Sequence, residues 1–183
     1  MNQLILLGGN RDDPMADFLF KNLSRRFCVT CCTGERVLMR GSGRELLFLF
    51  YPGLRAAEGK RGLYLACAGR PLPEGLFLPE GAAVIVSSEE EGQLRELSRL
   101  GARAVTCGLS GKDTVTFSSR EEGRAVISLM REVTGPAGIR VEPMDLPVNI
   151  PKGVGDYPIL ACGAALMLLG GVSETGREKF FQT

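Results

Sequence analysis

Histidine is absent from this 183-residue chain. Pairs of serine or cysteine with histidine, histidine general bases and the common zinc hydrolase sites all require an imidazole. The absence therefore excludes most hydrolase mechanisms. It leaves chemistry carried by carboxylates, lysine or cysteine, catalysis by a metal bound to oxygen ligands, or no catalysis.

The chain also lacks an excess of charge and a long apolar run. Its 22 basic and 21 acidic side chains give a net charge of +1, so no overall field would recruit nucleic acid or an anionic membrane. The longest uncharged stretch, 157–173, is shorter than the roughly 20 apolar residues that a membrane span requires. The apolar run at 4–7 is too short for a signal peptide. We expect a cytoplasmic protein whose partners include neither nucleic acid nor a membrane.

The six cysteines do not follow a metal-binding pattern. Only Cys28 and Cys31 have the C-x-x-C spacing, and no second pair completes the four ligands of a structural zinc site. Cys67, Cys107 and Cys162 each lie alone in apolar runs. We expect small buried side chains in a reducing compartment, with no metal or other cofactor. A redox or sulfur-transfer site at Cys28 or Cys31 is the alternative that the cluster leaves open.

The first third of the chain predicts a parallel sheet. The run at 4–7 is a predicted strand, and Asp13 followed by Pro14 predicts the cap and the first position of a helix. Three further apolar runs are continuous rather than alternating, which is typical of strands buried on both faces. They are FCVTCCT at 27–33, ELLFLFYP at 45–52 and GLYLACAG at 62–69. The glycines of GSGRE, at 41–45, predict a hairpin turn between strands.

The stretch 83–107 predicts a β-α-β unit. Its parts are a strand at 83–86, a helix from about 89 to 100 and a strand at 104–107. Ser88 is the expected helix cap. A right-handed crossover would place both strands in one parallel sheet.

Beyond Gly108 the apolar runs are separated by turns, which predicts an antiparallel meander. The segment 120–133 is ambiguous, because Ser119 and Glu122 form a capping box whereas the apolar pattern also fits a strand; we favour the strand. The final apolar segment predicts a core helix that ends at Gly170 and Gly171. We expect one domain, 1–183, with a three-layer α/β fold. Its mostly parallel, Rossmann-like or P-loop-like sheet would continue into the antiparallel meander and the buried helix.

The loop LGGNRDDP, at 7–14, follows the first strand and precedes the first helix, where backbone amides and the helix dipole can bind an anion. Asp12 and Asp13 bring negative charge to that place, and no lysine of the loop neutralises them. Each would cost on the order of 1 kcal/mol against a phosphate about 4 Å away, even with substantial screening. The alternative is a plain turn capped by Asp13. The candidate ligand-binding residues of this loop and of the loop after the strand at 83–86 are Gly8, Gly9, Asn10, Ser87, Ser88 and Glu89.

Four stretches, in order along the chain, resemble motifs of the ATP-binding central domain of the Mur ligase family, which includes folylpolyglutamate synthase. The phosphate loop G-T-N-G-K-T-T of the family resembles 8–14, and its strand ending in N-a-D-D resembles 84–90. Its v-T-y-G strand with a following aspartate resembles 105–113, and its helix start G-x-H-N-x-x-N-x-x-A-A resembles 155–165. The resemblance implies a parallel α/β half, an antiparallel meander and an apolar closing helix.

The departures from the family pattern bear on function. Family members make an acyl-phosphate from ATP and a carboxylate, which an amine then attacks. Here Asp12 stands at the loop lysine, Asp13 at the loop threonine and Tyr157 at the histidine of the helix start. Pro158 and Ala161 replace the two asparagines, and the D-H-x-x-x segment has no counterpart.

The resemblance therefore implies a degenerate phosphate loop in a pseudoenzyme. Such a domain would act as a binding, scaffold or regulatory protein without ATP hydrolysis, and its partner would be a protein or a small ligand. The alternative is an enzyme or sensor that binds a small ligand or nucleotide with the 8–13 and 87–89 loops, where open α/β sheets place their crevices.

Overall fold

The computed structural model describes residues 1–9, 13–32, 37–50, 54–56 and 62–172. The strands in chain order are β1 (Asn2–Leu7), β2 (Phe27–Cys32), β3 (Val37–Arg40), β4 (Arg44–Phe50), β5 (Gly62–Ala66), β6 (Ala83–Ser87), β7 (Arg103–Cys107), β8 (Val115–Glu121), β9 (Arg124–Leu129), β10 (Val133–Thr134), β11 (Arg140–Val141) and β12 (Met144–Asn149). The helices are α1 (Pro14–Leu23), α2 (Glu91–Arg99) and α3 (Asp156–Leu168), with a 3₁₀ turn at Pro136–Gly138.

Ten of the strands form one sheet in the order β12-β9-β8-β7-β6-β5-β1-β4-β2-β3. The central seven, from β8 to β2, are parallel, whereas β3 at one end and β9 and β12 at the other are antiparallel. The predicted α/β fold with a mostly parallel sheet and an antiparallel continuation is confirmed. The segment 124–129 is a strand, so the helical alternative for it is wrong.

The two faces of the sheet carry different layers because successive side chains of a strand point to opposite sides. In β1, Leu4 and Leu6 face the layer formed by α1 and α3, which pack against each other. Ile5 and Leu7 face the other layer, where α2 and the connection 67–82 cover β5 and β6. All four leucine and isoleucine side chains are at most 1% exposed. Full burial of such a side chain stabilises the fold by about 1.5–3 kcal/mol.

The closing helix α3 is buried on all sides, as its composition predicts. A Cβ at Gly163 would lie 2.6 Å from Ile127 Cδ1, so the glycine lets α3 approach β9 closely. Gly170, with a φ of +67°, ends the helix, and Arg44 donates a hydrogen bond to its carbonyl oxygen. No helix in the described ranges is long and apolar enough to cross a membrane.

The antiparallel strands extend beyond the carboxyl edge of the parallel sheet. Cys107, the last residue of β7, is level with Val115, the first residue of β8. The rest of β8 therefore continues past that edge, and β9 and β12 pair alongside it. Arg120 of β8 forms an ion pair of 2.7 Å with Asp156 at the start of α3. The strands β8, β9 and β12 thus border the carboxyl edge of the parallel sheet, where the candidate site lies.

Two local predictions are wrong. The turn at 41–43 joins β3 to β4, but β2 lies between these strands, so it does not close a hairpin. The N-cap of α2 is Glu90 rather than Ser88, and its side chain makes no capping hydrogen bond. At 41–43 the residues favour a turn, but the strand order decides which strands pair across it. At 88–90 a favourable cap residue is present, but the helix begins two residues later than that cap requires.

Truncation of Leu97 tests the packing of α2 against the sheet. Leu97 is fully buried, whereas Leu94 of the same helix is half-buried. We expect Leu97→Ala to lower the free energy of unfolding by about 2–5 kcal/mol, since a truncated core leucine loses contacts and leaves a cavity. Leu94→Ala is the matched control and should cost clearly less. Urea unfolding midpoints measure both; equal losses would contradict the described orientation of α2.

Candidate functional site

The loop after β1 packs closely against the residues that follow β5. Gly8 has a φ of +76°, and a Cβ there would lie 3.2 Å from the carbonyl oxygen of Pro71. A Cβ at Gly9 would lie 2.6 Å from Leu6 Cδ2 and 3.4 Å from Cys67 Sγ. Glycine at position 8 is therefore favoured by the positive φ and by the close approach of Pro71, whereas a side chain at position 9 would press on Leu6. The third candidate of this loop, Asn10, lies outside the described residues, as does Asp12.

Asp13 occupies the N-terminus of α1 with its own carboxylate. Its Oδ1 accepts a hydrogen bond of 2.9 Å from the amide of Met15, and its carbonyl oxygen accepts one from Ala16. Pro14 has no N–H, so one amide of the first turn is missing. The positive end of a helix dipole attracts an anion, and here the chain supplies that anion itself. An external phosphate would have to displace a buried side chain that is only 7% exposed.

Arg70 brings a cation to this loop from the carboxyl end of β5. Its Nη1 donates a hydrogen bond of 3.2 Å to the carbonyl oxygen of Gly8, and its Nη2 lies 3.8 Å from Asp13 Oδ2. The guanidinium partly balances Asp13, although the sequence indicated no neutralising lysine in the loop. Because Arg70 is partly exposed, the ion pair contributes at most about 1 kcal/mol. The strand order could have revealed it, since β5 is the direct neighbour of β1.

Cys67 completes the contact between the two loops. Burial, with a smaller effect of the nearby negative charge of Asp13, raises the pKa of Cys67 to about 12 despite the opposing effect of Arg70. The side chain therefore stays a neutral thiol and a hydrogen-bond donor at physiological pH. It is not an activated nucleophile, which would need a lowered pKa.

The second candidate loop lies two strands away from the first. Ser87 is buried and its Oγ accepts a hydrogen bond of 3.3 Å from the amide of Glu89. Ser88 lies beside Gly108, which follows β7. A Cβ at Gly108 would clash with the hydroxyl of Ser88 and with the carboxylate of Asp113. Since β5 separates β6 from β1, this loop is about 10 Å from Gly8. The structure does not bring the two groups of candidates into contact.

Tyr157 of α3 spans the space above β5 and β6. Its hydroxyl donates a hydrogen bond of 2.5 Å to the carbonyl oxygen of Ala66 and lies 3.5 Å from that of Ile85. Burial, with smaller contributions from Cys107 and Cys67, raises the pKa of Tyr157 well above its usual value. The phenol thus remains neutral and structural. Sequence reasoning noted the position but not this contact across the sheet.

Cys28 and Cys31 do not form a pair. Residues three apart in a strand point to opposite faces, and Cys31 is buried in the core while Cys28 is half-buried on the other side. Burial, with a smaller effect of Cys32, raises the pKa of Cys31 to about 11. No group of three metal-binding side chains occurs within the described ranges. The geometry therefore argues against a dithiol redox centre at these two residues.

A cavity of about 560 Å³ lies beside the candidate loops, between the loop 69–75 and the first turns of α2. Arg70 and Glu90 are among its lining residues, but the five sequence candidates that the structure describes are not. Gln93, which is 4% exposed, also lines it and leaves its buried Oε1 without a hydrogen-bond partner. An unsatisfied buried acceptor costs about 1–3 kcal/mol. Sequence reasoning missed this cavity because the connection 67–82 carries no recognisable motif.

No protein-family model and no curated protein matches this chain. Solved structures match it over nearly its whole length. MurF ligase from Thermotoga maritima in complex with ADP is 13% identical with a TM-score of 0.54, and the match covers 94% of this chain and 47% of that one. The UDP-N-acetylmuramoylalanyl-D-glutamyl-2,6-diaminopimelate–D-alanyl-D-alanyl ligase from Acinetobacter baumannii is 12% identical with a TM-score of 0.55, covering 96% and 44%.

The fold is Mur-ligase-like. MurF from Acinetobacter baumannii gives the same result at 12% identity and a TM-score of 0.50. The resemblance to this family that the motifs indicated is thus confirmed at the level of the fold. This chain spans less than half the length of each of these ligases. Within the Mur-ligase-like sheet, the loop after β1 ends in Asp13, and the helix that starts at 156 presents Tyr157 to β5 and β6.

The buried thiols and Tyr157 predict a loss of stability at alkaline pH. In the unfolded chain a thiol has a pKa near 9.0, whereas burial raises the pKa of Cys31, Cys67, Cys107 and Cys162 in the folded chain. Above about pH 9 the unfolded state then binds fewer protons, so the free energy of unfolding falls with pH. Each group adds up to about 1.4 kcal/mol per pH unit until its folded pKa is reached.

Urea unfolding between pH 7 and 10.5 measures this decline. Cys162→Ala removes one fully buried thiol. Above pH 9 it should reduce the decline of the free energy of unfolding by up to about 1.4 kcal/mol per pH unit, the contribution of one group. Identical slopes for the parent and Cys162→Ala would contradict the account.

Proposed function

We propose that this chain is a non-catalytic Mur-ligase-like domain, a pseudoenzyme that acts through binding as a scaffold or regulatory protein and does not hydrolyse ATP. The observation that carries the proposal is the carboxylate of Asp13 at the N-terminus of α1. Phosphoryl transfer requires cationic groups and free donors around the transferred phosphate. Here the amide of Met15, a donor of the first turn, is taken by the carboxylate of Asp13.

Two further features support the proposal. The guanidinium of Arg70 is directed to the carbonyl oxygen of Gly8 and to the carboxylate of Asp13. Burial holds the pKa of Tyr157 well above its usual value, so its phenol stays neutral and contributes no charge near pH 7. The partner would be a protein or a small ligand, and the protein is proposed to work in the cytoplasm.

Calorimetric titration of the full chain with Mg-ATP tests the proposal. We expect no saturable heat, and no phosphate release above the rate without protein. Binding with a dissociation constant below about 100 μM, which corresponds to about −5.5 kcal/mol, would contradict it, and so would turnover. Arg70→Ala provides a comparison: any heat that falls in this variant would place the binding beside the loop after β1.

A further inference from the structure

The strand β3 leaves one edge of the sheet open. On one side it pairs with β2, from Val29 opposite Arg40 to Cys32 opposite Val37. On its other side no strand pairs with it among the residues that the structure describes, because β3 ends the ten-stranded order. Backbone N–H and C=O groups of such an edge strand point away from the sheet and form a template for a further strand.

Both faces of β3 expose apolar side chains. Val37, Leu38 and Met39 are 67%, 46% and 71% exposed, and they point alternately to the two faces. In β2 alternate residues are buried, whereas all four residues of β3 are exposed. The layers that cover the sheet therefore end before β3. Native proteins protect an edge strand with charged residues, proline or a bulge, but of the four residues of β3 only Arg40 is charged.

Arginines are concentrated at the end of β3 where Arg40 lies. The turn 41–43 packs against the end of α1, since a Cβ at Gly41 would clash with the carbonyl oxygen of Ser24. The charged residues of the two adjoining segments, 24–26 and 37–45, are Arg25, Arg26, Arg40, Arg44 and Glu45. The whole chain has a net charge of only +1, so this excess of positive charge is local.

These features indicate the chemistry of a partner. The open backbone groups of β3 are satisfied by another peptide strand, whose successive side chains reach both faces of the sheet. The exposed apolar residues require apolar side chains on that strand, and the arginines are complemented by acidic ones. A second copy of this chain would instead bring the same excess of positive charge to the edge.

We propose that β3 binds an acidic, extended segment of another protein by strand addition. Apolar side chains of the segment would contact Val37 and Met39 on one face and Leu38 on the other, and its carboxylates would lie near Arg40. The proposal rests on the proposed binding function and names its class of partner. Three strand spacings, about 14 Å, separate β3 from β1. A peptide at β3 and Mg-ATP at the loop after β1 would therefore affect different amides, so the failure of either proposal is recognised separately.

The experiment titrates the full chain with the peptide EVTVEVE, blocked at both ends, and follows the backbone amide resonances by NMR. We expect saturable shifts of the amides of 37–40 with a dissociation constant of about 1 mM or tighter. The peptide KVTVKVK, which has the same valines and the opposite charge, should not bind. Absence of saturable shifts at 37–40 with the acidic peptide, or equal binding of the basic one, would overturn the proposal.

Light scattering of the chain alone tests the competing occupant. We expect a monomer, which keeps the edge of β3 available to the peptide. A dimer whose dissociation on dilution shifts the amides of 37–40 would assign this edge to a second copy and overturn the proposal.

Two matched variants locate the site. Arg40→Glu reverses the charge at the end of β3 and should weaken binding of EVTVEVE about tenfold or more. Arg95→Glu makes the same change at an exposed position of α2, which packs against β6 and β7, and should leave binding unchanged. Equal effects of the two variants would show attraction by net charge alone and overturn the assignment. If Arg40→Glu unfolds, Met39→Thr replaces it, because it removes an apolar contact, keeps a residue that favours strands and should also weaken binding.

Discussion

The contact between Asp13, Cys67 and Arg70 is the interaction on which the site depends. It joins the loop after β1 to the residues that follow β5, and these are neighbouring parallel strands at the centre of the sheet. One carboxylate caps α1, lies close enough to the buried thiol of Cys67 to raise its pKa, and faces a guanidinium. The chain thereby fills, with its own groups, the position where the helix dipole would otherwise attract an external anion. A buried carboxylate is costly unless it is bonded in this way.

The remaining features follow from that closed loop and from the strand order. Because β5 separates β1 from β6, the two loops that sequence analysis grouped are kept apart, and Tyr157 donates across the gap to Ala66. The cavity at the carboxyl edge lies instead between α2 and the first part of the connection 67–82.

Sequence patterns predicted most of the architecture because burial leaves a clear signature. The continuous apolar runs of β1 and β5, the capped helix after Asp13 and the all-apolar α3 are each local signals, and each was confirmed. What could not be predicted depends on which strands become neighbours. Arg70 is far from Asp13 along the chain, and only the pairing of β5 with β1 brings them together. The strand β3 was missed for a different reason, since its four exposed residues carry no burial pattern.

The central claim is that the carboxylate of Asp13 closes the N-terminus of α1 to phosphates. Asp13→Asn keeps a capping oxygen while removing the charge and releasing Arg70. Amide resonances of Gly8, Gly9 and Met15, followed during titration with Mg-tripolyphosphate, measure binding at that place directly. The account predicts no saturable shifts in the parent protein and saturable shifts in Asp13→Asn. Saturable shifts of these amides in the parent protein would contradict it.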